Sequence, residues 1–178
     1  MTPGRGATNG EVILVALSVL VMRGPDAPVA APGAADALER LSALGRTIIL
    51  AGDVVAGRRL PADAEARERW VRAVIGRAVD VQVVPFDAPA WELHDVAGET
   101  IAQDAWKKVR SEQGATWLIT DARADIRAAR TAGLHVVLAG PRPSEEPLAA
   151  HADIAARDLA DAARLLLAQD LFGQVPAA

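Results

Sequence analysis

The residues of this chain with the clearest potential for chemistry are carboxylates that follow apolar segments. Asp53 comes directly after TIILAG, Asp121 comes directly after WLIT, and Asp125 follows four residues later. If these segments are parallel strands, their carboxyl ends meet at one edge of a sheet, where α/β folds bind ligands. Carboxylates at such an edge can act as general acids or bases, or supply the oxygen ligands that Mg²⁺ prefers. We therefore expect a ligand crevice at this edge.

The same carboxylates also have structural interpretations. Asp125 can cap the helix that follows it by accepting backbone N–H groups, and Asp121 can pair with a neighbouring arginine such as Arg123. Asp53 can be a turn residue. The sequence leaves these alternatives open.

The proline-rich segment PFDAPAWELHD contains two further candidates. His94 next to Asp95 could form a catalytic dyad, although such neighbours in a loop are more often solvated. Trp91 lies on no predicted helix or strand there, so it is either an exposed interaction residue or a packing residue.

Alternating strand and helix patterns surround these residues. Helical patterns separate the apolar segments, and this alternation predicts a parallel sheet with helices on both faces. We expect one three-layer, Rossmann-like α/β domain over residues 1–178, frayed at 1–10 and 174–178, with a further edge strand near Ile154. The strand candidates are VILVALSVLVM, TIILAG, VQVV, TWLITD and LHVVLAG.

The first apolar run, Val12 to Met22, has three possible interpretations. A membrane span needs about 20 apolar residues, so the run is too short for one. Arg5 before it and PVAAPGAA after it are compatible with a signal peptide, but Glu11 directly before the run disfavours that reading. We predict a central strand, because strands covered on both faces read as continuous apolar runs.

Composition limits the partners. The formal net charge is -4 and the arginines are scattered among acids, so we expect neither a nucleic-acid nor a membrane partner. The chain has no cysteine, which removes disulfides and thiolate metal sites and is compatible with the cytoplasm. Its three histidines are isolated from one another, which disfavours a histidine metal site.

The segment WLITDARADIRAARTAGLHVVLAG resembles the fourth motif of the haloacid dehalogenase (HAD) superfamily. In that family the two acids, here Asp121 and Asp125, help to hold Mg²⁺ beside a phosphorylated substrate. The resemblance extends from Val12 through HADIAARDLADAARLLL. It implies the sheet order 3-2-1-4-5, with Val12 to Leu17 in the middle and Asp121 beside Ala16.

The first motif of the family, Asp-x-Asp-Gly-Thr, is degenerate in this chain. It falls on residues 16–20, so Ala16 stands where the resemblance places the nucleophile, and Ser18 where it places the general acid and base. A methyl group cannot attack phosphorus, and a serine is a poor substitute for an acid that must protonate a leaving group. Both catalytic carboxylates are therefore missing.

The other two motifs are degenerate as well. The second, a Ser or Thr that binds the transferring phosphoryl group, falls on Ala51. The third is a lysine that offsets negative charge, and it falls near Glu99 or Thr100. Lys107 and Lys108 come about two helical turns too late to replace it.

These substitutions predict a pseudoenzyme. We expect no catalytic residue, no cofactor, and at most weak Mg²⁺ binding by Asp121 and Asp125. The predicted function is a non-catalytic binding or interaction module for a protein partner or a second copy. The alternative is a hydrolase or lyase with a rebuilt site that uses Asp53, Asp121, Asp125 or His94. The predicted crevice residues are Ala16, Ser18, Ala51, Asp53, Asp121 and Asp125.

The resemblance also bears on substrate access. The family gains specificity from a cap inserted after the first or second strand, but residues 23–33 form a short connection and residues 53–81 hold one predicted helix. No cap domain fits. Capless members act on macromolecules or borrow a lid from another subunit, which implies a partner surface.

Overall fold

The computed structural model of the chain describes residues 11–43, 46–51, 54–55, 58–61, 63–76, 82–84, 96–140 and 152–173. Strands and helices alternate along these residues. The strands are β1 (Val12–Ala16), β2 (Val21–Arg23), β3 (Pro28–Ala30), β4 (Thr47–Ala51), β5 (Val54–Val55), β6 (Arg58–Arg59), β7 (Gln82–Val84), β8 (Ala115–Thr120), β9 (His135–Ala139) and β10 (Ile154–Ala156). The helices are α1 (Leu17–Leu20), α2 (Ala34–Ala43), α3 (Ala64–Ile75), α4 (Val96–Gln113), α5 (Arg123–Thr131) and α6 (Leu159–Gly173).

The main sheet is parallel and has β1 in its interior. Its order is β7-β4-β1-β8-β9-β10, which is 3-2-1-4-5-6 when its strands are counted along the chain. Every neighbouring pair in it is parallel. The predicted α/β class with a parallel sheet is confirmed. The strand expected near Ile154 is β10, which pairs with β9.

The first apolar run is not one strand. β1 ends at Ala16, the next four residues form the helical turn α1, and Val21 begins β2 in an antiparallel hairpin with β3. Leu17 and Leu20 are buried in the turn just as they would be in a strand. A continuous apolar run cannot distinguish a buried strand from a buried helical turn, so the prediction was wrong from Leu17 onward.

Helices cover both faces of the sheet, which explains why its central strand reads as continuously apolar. Ile13 and Val15 pack into a cluster with residues of α2, α3 and α6. Leu14 points to the other face and packs into a cluster with residues of α4 and α5. Successive residues of a strand face opposite sides, so β1 must be apolar at every position.

The amino ends of the central strands are joined by an ionic network. The Glu11 carboxylate lies 2.9 Å from Nη2 of the buried Arg46 and accepts a 2.7 Å hydrogen bond from the indole of Trp117. These contacts tie the starts of β1, β4 and β8 together, at the edge opposite the predicted crevice.

Among the described helices, none combines the length and apolar character needed to cross a membrane.

Candidate functional site

Three strands end side by side at the carboxyl edge of the sheet. Ala16 is the register partner of Ala51 across β1 and β4, and Val15 is the partner of Ile119 across β1 and β8. Asp121, which directly follows β8, therefore lies close to the end of β1. Ala16 and Ala51 are 7% and 3% exposed, so methyl groups form the floor of this edge.

The turn α1 presents Ser18 to the same edge. Leu17, Val19 and Leu20 are buried and anchor the turn, while Ser18 faces outward. The Ser18 hydroxyl donates a 2.5 Å hydrogen bond to Oδ1 of Asp121, whose side chain is exposed. The structure thus brings these two predicted crevice residues into direct contact.

Asp125 lies deeper, in the first turn of α5, and is 5% exposed. Its Oδ2 accepts a 3.0 Å hydrogen bond from the Thr120 hydroxyl, and its Oδ1 accepts a 3.2 Å bond from the indole N–H of Trp106. The Thr120 hydroxyl oxygen in turn accepts from the backbone N–H of Ala122 at 3.1 Å. The carboxylate therefore links α4, the end of β8 and α5.

The capping role that the sequence left open for Asp125 is wrong. The N-cap of α5 is Ala122, which makes no side-chain capping bond. The backbone N–H of Asp125 donates to the Ala122 carbonyl, while its carboxylate binds the two side chains already described. Asp125 is held by tertiary contacts and not by the free N–H groups of its own helix.

Burial changes the acidity of Asp125. Its pKa is raised to about 6: desolvation raises it most, the hydrogen bonds from Thr120 and Trp106 oppose the rise, and the nearby Asp121 adds a smaller rise. Burial is the largest of these effects because the charged form loses its hydration.

Several predicted residues lie outside the described part of the chain. They are Asp53, Trp91, His94 and Asp95, together with the side chains of Glu99, Thr100 and Arg123. Lys107 and Lys108 are described and lie on the exposed face of α4, where Nζ of Lys107 is 3.8 Å from Asp104.

This chain is similar to known proteins in its structure. No protein-family model matches the sequence, and no curated protein matches it significantly. A D,D-heptose 1,7-bisphosphate phosphatase from Burkholderia thailandensis superposes with a TM-score of 0.58 at 20% identity, covering 88% of this chain and 98% of its own. A putative β-phosphoglucomutase from Bacteroides vulgatus gives 0.60 at 8% identity, covering 91% and 89%.

A haloacid dehalogenase-like family hydrolase from Streptococcus pneumoniae superposes with a TM-score of 0.55 at 13% identity, over 89% of this chain and 99% of its own. This chain has a HAD-like fold. At these identities the likeness establishes the fold alone.

The HAD-like fold implies Mg²⁺ at this edge, but the described donor set does not fit it. Among the described residues, no three His, Cys, Asp or Glu side chains are grouped as a metal site would require. Ala16 offers a methyl group where the resemblance places a first carboxylate, and both oxygens of Asp125 accept hydrogen bonds from protein donors. Mg²⁺ needs near-octahedral oxygen ligation, which these groups do not supply.

Two residues of this site were missed from the sequence. Thr120 is the one polar residue of the segment WLIT, a signal that a buried strand end carries a hydrogen-bonding group. Trp106 gave no such signal, because its position on the buried face of α4 is equally typical of packing. Its contact with Asp125 spans 19 residues and is visible only in the fold.

Proposed function

We propose that this chain is a capless member of the HAD superfamily that has lost phosphoryl-transfer chemistry and acts as a non-catalytic binding or interaction module. The pairing of Ala16 with Ala51 at the ends of β1 and β4 carries this proposal. These are the two positions at which the resemblance places the nucleophile and the phosphoryl-binding hydroxyl.

The chemistry of these two positions supports the loss of catalysis. Ala16 has no atom that can attack phosphorus, and Ala51 cannot donate a hydrogen bond to a phosphoryl oxygen. Loss of a nucleophile that acts as part of a catalytic unit costs on the order of a million-fold in rate. Ser18 is already hydrogen bonded to Asp121 and has no proton to offer a leaving group without breaking that bond.

The connections near the site support the capless assignment. The hairpin of β2 and β3 occupies most of residues 21–30, and α3 occupies residues 64–75.

The proposed module binds a protein partner or a second copy of this chain. Exposed apolar side chains on the hairpin support this: Met22 and Val29 are register partners and are 48% and 43% exposed.

Hydrolysis of a generic phosphate ester such as p-nitrophenyl phosphate, with Mg²⁺ present, tests the loss of catalysis. We expect no turnover above the background rate. Turnover that Asp121→Asn abolishes and Asp104→Asn leaves intact would overturn the proposal in favour of an enzyme with a rebuilt site. Asp104 is a suitable control because it is an exposed aspartate on α4.

A further inference from the structure

Each oxygen of the Asp125 carboxylate accepts a hydrogen bond from another side chain. The Trp106 indole can only donate, and it points its N–H at Oδ1 from α4. The Thr120 hydroxyl gives its single proton to Oδ2, and its oxygen accepts the Ala122 N–H. These two donors partly offset the cost of burying the charged carboxylate and would place positive hydrogen atoms against any cation bound beside it.

These contacts also bear on the turn that carries Asp121. Thr120 precedes Asp121 and Ala122 follows it, and both are joined to the Asp125 carboxylate, Ala122 through the Thr120 oxygen. Trp106 attaches this assembly to α4, which packs closely on α5. The position of Asp121 is therefore fixed on both sides by one buried carboxylate.

We propose that Asp125 is a positioning residue and not a metal ligand: with Trp106 and Thr120 it holds the turn at Asp121 and so places the Asp121 carboxylate against Ser18 without a divalent cation. This positioning of Asp121 does not rest on the proposed function. The Mg²⁺ implied by the fold has no place in this arrangement.

Two matched tryptophan variants test the positioning. Trp106→Phe and Trp117→Phe each remove an indole N–H that binds a carboxylate, Asp125 in the first case and Glu11 at the opposite edge in the second. The readout is the carboxylate ¹³C resonance of Asp121, assigned with Asp121→Asn. We expect Trp106→Phe to shift it and Trp117→Phe to leave it in place. An Asp121 resonance unchanged in Trp106→Phe would overturn the proposal.

A second pair keeps the test decisive if Trp106→Phe does not fold. Thr120→Val removes the hydroxyl and should shift the Asp121 resonance, and Thr120→Ser, which keeps the hydroxyl, should restore it. A shift in Thr120→Ser with none in Thr120→Val would show that packing of the Thr120 methyl group, and not its hydrogen bond, sets the position of Asp121, and would overturn the proposal.

The metal is tested separately through the indole N–H resonance of Trp106. Millimolar Mg²⁺ should leave this resonance in place, and a saturable shift would show that Asp125 binds the metal and would overturn the inference. The two proposals can fail independently. A parent protein that hydrolyses phosphate esters while this resonance stays fixed would refute the proposed function alone.

Discussion

The Ser18 hydroxyl donates a 2.5 Å hydrogen bond to the Asp121 carboxylate, joining two residues 103 positions apart in the sequence. This bond occupies the point at which the resemblance to HAD proteins places two acids and a metal ion. A neutral hydroxyl satisfies Asp121 without a counter-ion. We propose on this basis that the site is stable without a metal.

Restoring the two missing acids should make the site depend on a metal. In the double variant Ala16→Asp and Ser18→Asp, three carboxylates would share this edge above the buried Asp125, and charges about 4 Å apart repel by on the order of 4 kcal/mol at the dielectric of a protein surface. We expect urea unfolding to show a destabilised variant in the presence of a chelator. Mg²⁺ at 100 times its dissociation constant should restore about 2.7 kcal/mol.

Adding Asp121→Asn to this double variant provides the control. It removes one of the clustered charges, so it should relieve the instability and weaken the response to Mg²⁺. A double variant that is as stable as the parent without metal would contradict the placement of Ala16 and Ser18 beside Asp121.

The raised pKa of Asp125 predicts a specific dependence of stability on pH. The pKa is about 6 in the folded protein, against about 3.9 in an unfolded chain. Between these values the folded state holds a proton that the unfolded state has released, so stability falls as pH rises from about 4 to about 6. The loss should approach about 3 kcal/mol, at 1.36 kcal/mol per unit of pKa.

Asp125→Asn removes the titrating group and should remove this part of the pH dependence. The quantity to measure is the difference in unfolding free energy between parent and variant across the pH range. The contributions of the other titratable groups are common to both proteins and cancel in this difference. A difference that stays constant from pH 4 to pH 7 would contradict the raised pKa.

The glycines that follow α4 and α5 test the left-handed backbone conformation that ends each helix. Gly114 and Gly133 both have positive φ, at 66° and 83°. An added Cβ would meet nothing within 4 Å at Gly114 but would lie 3.1 Å from the Arg110 guanidinium carbon at Gly133. Substitution by alanine should cost about 1–2 kcal/mol at each site from left-handed strain. The Arg110 side chain is exposed and flexible enough to move by the few tenths of an ångström required, so thermal unfolding should show similar losses for Gly114→Ala and Gly133→Ala. A much larger loss for Gly133→Ala would contradict this account and show that Arg110 is held in place.

Much of the fold could be predicted from local patterns. Apolar segments bounded by glycine and acidic residues marked β4, β8 and β9, and their alternation with helices required a parallel sheet. The meeting of Ala16, Ala51 and Asp121 at one edge followed from that topology. The break in the first apolar run could not be predicted, because Leu17 and Leu20 bury equally well in a helical turn or a strand.

The chemistry of the site depended on contacts that the sequence does not encode locally. The spacing of Asp121 and Asp125 suggested that both face one crevice, yet Asp121 is exposed and Asp125 is buried under Trp106. A four-residue spacing cannot reveal which side chain a distant helix will cover. The roles predicted for Asp53 and His94 lie outside the described residues and stay predictions.

The thermal unfolding midpoint of the unmodified protein, compared in Mg²⁺ with phosphate and in a chelator, tests the central claim most directly. A working metal and phosphoryl site filled to 100 times its dissociation constant would add about 2.7 kcal/mol. For a chain of this size each 1 kcal/mol raises the midpoint by about 2–4 °C. We predict no difference between the two conditions. A rise of about 5 °C or more in Mg²⁺ and phosphate, abolished by Asp121→Asn, would contradict the claim that this edge has lost its phosphoryl chemistry.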